Sequence, residues 1–584
     1  MPTPCPVPDQ PTWIHKRDGR LVPFEADKIS HSLFAASEAL GEPNAFLARE
    51  LTDGVLHFLR AEADGTIPTT GRVGEMVVKV VRELGQPALA RAYAEFRRSS
   101  PVTGREVSPG HPVPTSDAPG ERGPSREELA GWLKSNEGLS AIIWRAGRSL
   151  VGEYAAREVF TRDLLAAQRD GWLTIAGRAT AFELEGAVLG PPTSGDLVIE
   201  RDIGASRKLV GGMVALDAAA CGLAGESEMR AEDCENSQQR ISVALQAAGL
   251  EAVLNFNGAQ MSSWDGNPTL GPLFNEKRSS SDQSPLRAEC LLDGWLCPSL
   301  RIRFHWHLDQ ASLAPEKVRR LTPAVRRALD GADLLFVFDR LGRPLSWAEG
   351  LSSTCPAVLA TVGLHLPRLA KEIAGKARID DFLQRLGSVA RLAISAGRQK
   401  REFLRRHSPN RKLVGRGFLL DRASLVVVPV GIEAVCRHFF GSSTCRSGDA
   451  LYFATQIIER LHDVLSHDGQ ASQLNVCLDS SADCALARPG LASASIAEID
   501  LSEIAGITCW NIGAPITDQI QSSGALHSIT QAGTAVVFLD DEESSMIECA
   551  LDLLTYAFHH SDVQRIRLVK LHAAQKQMLA SWAE

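Results

Sequence analysis

Apolar positions recur at helical spacing through residues 27–98. In DKISHSLFAASEAL, Ile29, Leu33, Ala36 and Leu40 fall on one face. In NAFLARELTDGVLHFLRA the stripe is Leu47, Leu51, Val55 and Phe58. In TTGRVGEMVVKVVRELG it is Val73, Met76, Val77, Val80 and Leu84. Each stripe predicts an amphipathic helix that must bury one side. A fourth helix is predicted over PALARAYAEFRRSS, with Gly85 as the preceding C-cap and Pro87 in the first turn. Arg97 and Arg98 then suit the negative end of that helix's dipole. Upstream, WIHKRDGRLVPF (13–24) places Asp18-Gly19 between two short strand-forming runs. It predicts a hairpin closed by a two-residue type I′ turn.

The pattern changes after residue 127, where Ser125 and Glu128 have capping-box spacing. RIRFHWHL (301–308) alternates, with Ile302, Phe304, Trp306 and Leu308 on one face and Arg301, Arg303, His305 and His307 on the other. This predicts a strand with one apolar face. LLFVF (334–338) and LVVVPV (425–430) are continuous apolar runs typical of buried parallel strands, the second ended by Pro429. Helical spacing covers 380–407 and 448–466. Buried strands alternating with helices predict an α/β body.

Between the two regions, residues 101–127 carry prolines at 101, 109, 112, 114, 119 and 124 and cannot build a core. The expected organisation is a small unit at 12–99, a Pro/Gly-rich disordered linker at 100–127 and a large unit at 128–584. The polar stretch 258–288 reads as a long loop inside the large unit.

Composition narrows the function classes. The 584 residues hold 62 Lys and Arg against 70 Asp and Glu, a net charge of −8, which argues against a nucleic-acid partner. No run approaches a membrane span, and the first residues lack a signal-peptide pattern, so a cytoplasmic protein is expected. The 12 cysteines include no C-x-x-C pair, which excludes a zinc ribbon and predicts mostly buried free thiols. His305 and His307 would point the same way, but no third ligand stands at matching spacing, so no metal site is expected.

Lys16, Arg17 and Lys28 are the candidate chemistry of the small unit. Three cations on a hairpin and an adjoining helix suit a triphosphate, and the Thr69 hydroxyl can donate to it or cap a helix. The same residues also fit a solvated basic tip and an ordinary N-cap, since exposed Lys and Arg are commonplace.

The strings IHKRDGRLVPFEADKI, DGTIPTTGRVGEMV and LGQPALARAYAEFR together resemble the ATP-cone, a nucleotide-binding regulatory module of ribonucleotide reductases and of a repressor of their genes. The resemblance covers residues 12–98. It implies ATP or dATP as an allosteric ligand, contacted by Lys16, Arg17, Lys28, Ile29 and Thr69, with Ile14 against the base. It also implies control of activity or assembly, hence a homo-oligomer.

The large unit resembles, more distantly, the second half of anaerobic ribonucleoside-triphosphate reductases, which are glycyl radical enzymes. The segments TVGLHLPRLAKEI, VVVPVGIEAVCRHFFG, GDALYFATQIIERLHDVL, NIGAPITDQI and GALHSITQAGTAVVFLDDEESS carry that resemblance in order. It implies a ten-stranded α/β barrel of two antiparallel five-stranded halves around a finger loop bearing a radical cysteine, for which Cys355 is the candidate. The family's polar D-I-H-I-H-D motif is replaced by WLTIAGR (172–178). Neither an R-V-x-G-Y loop nor paired C-x-x-C motifs follow, so neither a glycyl radical nor a zinc site is expected. The expectation is a catalytically degenerate regulatory or scaffold protein. The alternative is an active radical enzyme that obtains its radical from a separate small subunit and uses Cys355.

Overall fold

The computed structural model describes residues 11–62, 66–99, 157–176, 182–188, 210–217, 238–245, 251–256, 302–373, 379–407, 418–480, 506–511, 513–540 and 545–571, with a few isolated positions between 130 and 154. The expected linker and the polar stretch 258–288 lie outside these residues, as does the capping-box spacing at 125–128.

The N-terminal unit is a hairpin on four helices. Strands β1 (Trp13–His15) and β2 (Leu21–Pro23) pair antiparallel. The turn differs from the two-residue form. Lys16 N donates to Arg20 O and Gly19 N to Lys16 O, so Arg17, Asp18 and Gly19 make a three-residue loop. Gly19 alone takes a positive φ there, +81°, while Asp18 stays right-handed and accepts from the Arg20 backbone and guanidinium. A type I turn with a left-handed glycine after it gives this loop.

Helices α1 (Asp27–Ala39), α2 (Ala45–Ala61), α3 (Thr70–Glu83) and α4 (Pro87–Ser99) follow. Leu33, Leu51, Val55, Val77 and Val80 are buried as their spacing predicts. Leu40 and Leu84 are C-caps and stay exposed, because the stripe ends before them. The α3–α4 junction is a Schellman motif, with Gln86 N donating to Val81 O and Gly85 N to Arg82 O.

The body is an eleven-stranded sheet. Its strands are β3 (Leu173–Ile175), β4 (Leu184–Val188), β5 (Val210–Asp217), β6 (Glu251–Phe256), β7 (Ile302–Leu308), β8 (Leu334–Phe338), β11 (Ala357–His365), β12 (Ser424–Val430), β13 (Asn475–Leu478), β14 (Thr534–Asp540) and β15 (Arg565–Leu571). β4 to β8 run parallel in sequence order. β11, β12 and β13 are parallel to one another, as are β14 and β15. The junctions β4/β11 and β8/β15 are antiparallel. Two five-stranded halves of opposite sense result, with β3 added antiparallel on β11.

No backbone ladder joins β13 to β14 among the described residues, and side-chain contacts link the residues just past β13 to β14 and β15. Thr534 N donates to the Ser480 hydroxyl at 3.0 Å, and Arg565 of β15 pairs with Asp479. β7 is buried on both faces, not on one, because Arg303, His305 and His307 are covered as fully as Phe304 and Trp306. β12 runs through Pro429, whose carbonyl accepts from Gly506 N.

A short hairpin, β9 (Ser346–Ala348) and β10 (Leu351–Ser352), lies between β8 and β11 in sequence. Trp347, Ala348 and Leu351 pack against Ala215 of β5, Val253 of β6, Val358 of β11, and Val426 and Val428 of β12. Those neighbours come from both halves, which places the hairpin on the concave side of the sheet. Gly350 turns it with φ +71°, and a Cβ there would stand 2.1 Å from Val426 Cγ2. Both the conformation and the contact exclude a side chain.

The outer side is covered by α5 (Arg162–Arg169), α6 (Ile379–His407), α7 (Gly448–Ala471), α8 (Ile516–Thr530) and α9 (Met546–His560). The helical unit docks on this layer. Phe46 of α2 stacks on Trp172 with ring centroids 4.1 Å apart, and Arg385 of α6 pairs with Glu50. Asp53 accepts from Ser388 at 2.6 Å and from Arg391 at 2.9 Å.

Candidate nucleotide site and inner hairpin

The six residues expected at the nucleotide site separate into three positions: Ile14, Lys16 and Arg17 on the hairpin, Lys28 and Ile29 in the first turn of α1, and Thr69 at the start of α3. Ile14 is partly buried on β1 against the bundle core. His15 bridges Thr69, and its N–H donates to Pro68 O at 3.0 Å, so β1 is fastened to the start of α3. Thr69 is the N-cap of α3, its hydroxyl accepting from Arg72 N at 3.2 Å. A hydroxyl that accepts there still has its own proton to donate. Lys28 opens α1 and pairs with Glu25 at 2.8 Å. Ile29 faces the core and is buried.

Arg17 reaches a cleft of about 890 Å³ between α3 and α4. Lys79, Arg82, Arg97 and Arg98 line it with Arg17, against Glu75 and Glu83. The size lies within the range of about 300–1,000 Å³ usual for ligand pockets. Gly74 makes room for Arg97, since a Cβ would overlap its guanidinium at 1.6 Å, and Arg97 Nη2 donates to Thr70 O at 3.0 Å. The α3 and α4 cations were not assigned to the site from sequence. Lys79 and Arg82 sit on the polar side of an amphipathic helix, where cations are routine. Convergence on Arg17 shows only once the helices are packed.

The tip of the inner hairpin carries charge. Arg303 Nη1 donates to Glu349 Oε2 at 2.6 Å, and Arg303 Nε lies 3.5 Å from Asp333, which also pairs with Arg567. Gly350 N donates to Asp479 Oδ2 at 2.9 Å, and Arg565 joins Asp479 to Ser346 and Thr534. Burial works against the Arg303 charge, yet Glu349 and Asp333 hold its pKa above the ordinary arginine value.

Beside this network, His305 is fully buried, and burial with the Arg303 and Arg565 charges pushes its pKa well below normal. His307 is engaged by Asp339 at 2.8 Å and Asn255 at 3.0 Å. No group of metal-ligating side chains occurs among the described residues.

Cys355 stands at the base of the hairpin rather than at its tip. It lies in the turn between β10 and β11, half-buried, with its N–H donating to Ser352. Burial raises the thiols of Cys436, Cys477 and Cys509, and raises Cys445 to about 12, so these cysteines stay protonated. Among the described residues no disulfide joins Cys355, Cys436, Cys445, Cys477, Cys509 or Cys549 to another cysteine.

Residues 13–100 match the family model of the ATP cone domain. The N-terminal unit is an ATP cone. No curated protein sequence matches the chain. The solved structures similar to it include the anaerobic ribonucleotide reductase of Thermotoga maritima with glycerol in the active site. That structure has a TM-score of 0.52 and 13% identity, over 74% of this chain and 83% of that one. The same enzyme with dATP bound in the specificity site gives a TM-score of 0.50 and 12% identity, over 76% and 86%. At this identity the likeness is one of fold. Behind the cone, then, stands a body with the fold of an anaerobic ribonucleotide reductase, its inner hairpin packed against strands of both five-stranded halves. No helix among the described residues is long and apolar enough to cross a membrane.

Proposed function

We propose that the chain is an ATP- or dATP-binding regulatory or scaffold protein, in which the cone governs a reductase-like body that no longer performs radical chemistry. The observation that carries this reading is the inner hairpin. At its tip, where hydrogen abstraction needs a free thiol, stand Trp347, Ala348, Glu349 and Gly350. Glu349 is locked to Arg303, and Trp347 is buried between the two halves.

In this reading Lys16 and Arg17 would contact the nucleotide from the hairpin, Lys28 from α1 and the Thr69 hydroxyl from the start of α3. The cations of the α3–α4 cleft add charge suited to a polyphosphate. Bound nucleotide would shift activity or assembly, with a second copy of the chain as the simplest partner.

Two measurements on the full chain test this. Calorimetry should show saturable binding of ATP or dATP. Electron paramagnetic resonance after anaerobic treatment with a glycyl-radical activating enzyme should show no doublet. A glycyl doublet would sink the degenerate reading.

A second reading rests on Cys355, which lies at the base of the inner hairpin. In it the body reduces nucleotides with a radical supplied by a separate small subunit. Measured reduction abolished by Cys355→Ala would establish it.

A further inference from the structure

The nucleotide-binding face of the cone and the body share a chain of charges across the docking surface. Lys28 Nζ pairs with Glu25 Oε1 at 2.8 Å, and the other oxygen of Glu25 lies 4.0 Å from Arg398 Nη1 on α6. Arg398 also pairs with Asp27, which in turn binds Arg49 Nη1 at 2.6 Å and the Ser395 hydroxyl. Asp27 is buried, and burial alone would raise its pKa. Arg398 and Arg49 overcome that and hold it well below the carboxylate range. Lys28 is the exposed member of the chain and Glu25 is half-buried. The charges thus run from a cation facing the ligand to a fixed pair inside the interface.

We propose that Arg398, a residue of the body, is a positioning residue of the cone's nucleotide site. It takes over Glu25 when a phosphate takes Lys28, and so couples nucleotide occupancy to docking of the cone. The inference rests on the reading of the cone as a nucleotide site.

Electrostatics fixes the direction. A phosphate reaching Lys28 must displace Glu25, and a carboxylate left beside a phosphate is repelled. Arg398 stands within reach to neutralise it. Without Arg398, Glu25 has Lys28 as its nearest cation and competes with the phosphate for it. Asp27 meanwhile keeps Arg49. By reciprocity, a nucleotide that transfers Glu25 to Arg398 strengthens the hold of α6 on the cone.

The test is calorimetric titration of the full chain with ATP and with dATP. Arg398→Ala should weaken binding by about fivefold or more, the lower range of site-to-site coupling. Glu25→Gln added to it should restore most of that loss, because the competing carboxylate is gone. Arg385→Ala breaks the Glu50 pair of the same interface away from Lys28 and should leave affinity within about twofold. A purely structural role would make the two arginine variants behave alike and would leave Glu25→Gln without rescue. Either result overturns the proposal. Glu25→Gln alone, a near-isosteric change at a half-buried position, should tighten binding, and unchanged or weaker binding overturns it too. No heat from the unaltered chain removes the nucleotide reading itself. Normal binding there with no response to Arg398 removes the coupling alone.

Discussion

Glu349, at the turn of the inner hairpin, accepts from Arg303 of β7 at 2.6 Å with both side chains buried. The pair ties the hairpin to the first half of the sheet, while Gly350 and Asp479 tie it to the second. Removing one partner leaves a charge without compensation, which is worse than removing both. Glu349→Ala should therefore cost about 3 kcal/mol. Arg303→Met with Glu349→Leu should recover most of it, since two apolar groups of similar size need no partner. Denaturant unfolding of the three proteins checks this, and a double variant as unstable as the single one would refute it.

Phe46 and Trp172 carry the apolar part of cone docking. Phe46→Ala removes a buried ring and its stack and should cost about 3–5 kcal/mol. The cone should then be released faster by limited proteolysis. An unchanged digestion rate would show that the ion pairs of α6 hold the cone without the stack.

Lys16→Ala and Arg17→Ala should each weaken ATP binding about tenfold, close to 1.4 kcal/mol. Thr69→Ala should in addition lower cone stability by about 1 kcal/mol, because it removes the N-cap of α3. Titration gives the first effect and thermal unfolding the second. Full affinity in Lys16→Ala would move the site away from the hairpin.

Stability should fall on mild acidification. His527 is buried, its Nε2 on Ile507 O at 2.6 Å and its Nδ1 accepting from Gln564 N at 3.1 Å. Burial lowers its pKa to about 4, although the Ile507 carbonyl works the other way. The unfolded chain takes up a proton near pH 6.5 that the folded chain refuses until about 4. The contribution is complete above pH 6.5 and is lost as pH drops toward 4, about 3 kcal/mol in all. His305, depressed by burial, adds in the same direction. Tm measured between pH 7 and 4.5 should decline, and less steeply in His527→Gln. A flat profile in the unaltered chain would contradict this.

Much of the cone was legible in the chain. The helical stripes, the Thr69 cap, the Gly85 stop and the Asp18-Gly19 hairpin are local features, each settled within a few residues of backbone. The turn class was not, because Asp-Gly serves both a two-residue loop and a three-residue one, and the pairing of Lys16 with Arg20 chooses between them. In the body, continuous apolar strands foretold a buried sheet, and the resemblance to anaerobic reductases implied the two-halved arrangement.

What sequence alone determined is the set of local elements in the cone and the main strands and long helices of the body, since periodicity and caps are written at short range. Tertiary structure decided the rest. It buried Arg303 and His305 on the polar face of an alternating strand, because helices cover one side of the sheet and the inner hairpin the other. It moved Cys355 to the base of that hairpin and put Glu349 at its tip. It brought Arg398 to Glu25, residues more than 370 positions apart. Such contacts depend on how elements pack, and no local pattern of residues encodes a partner that far along the chain.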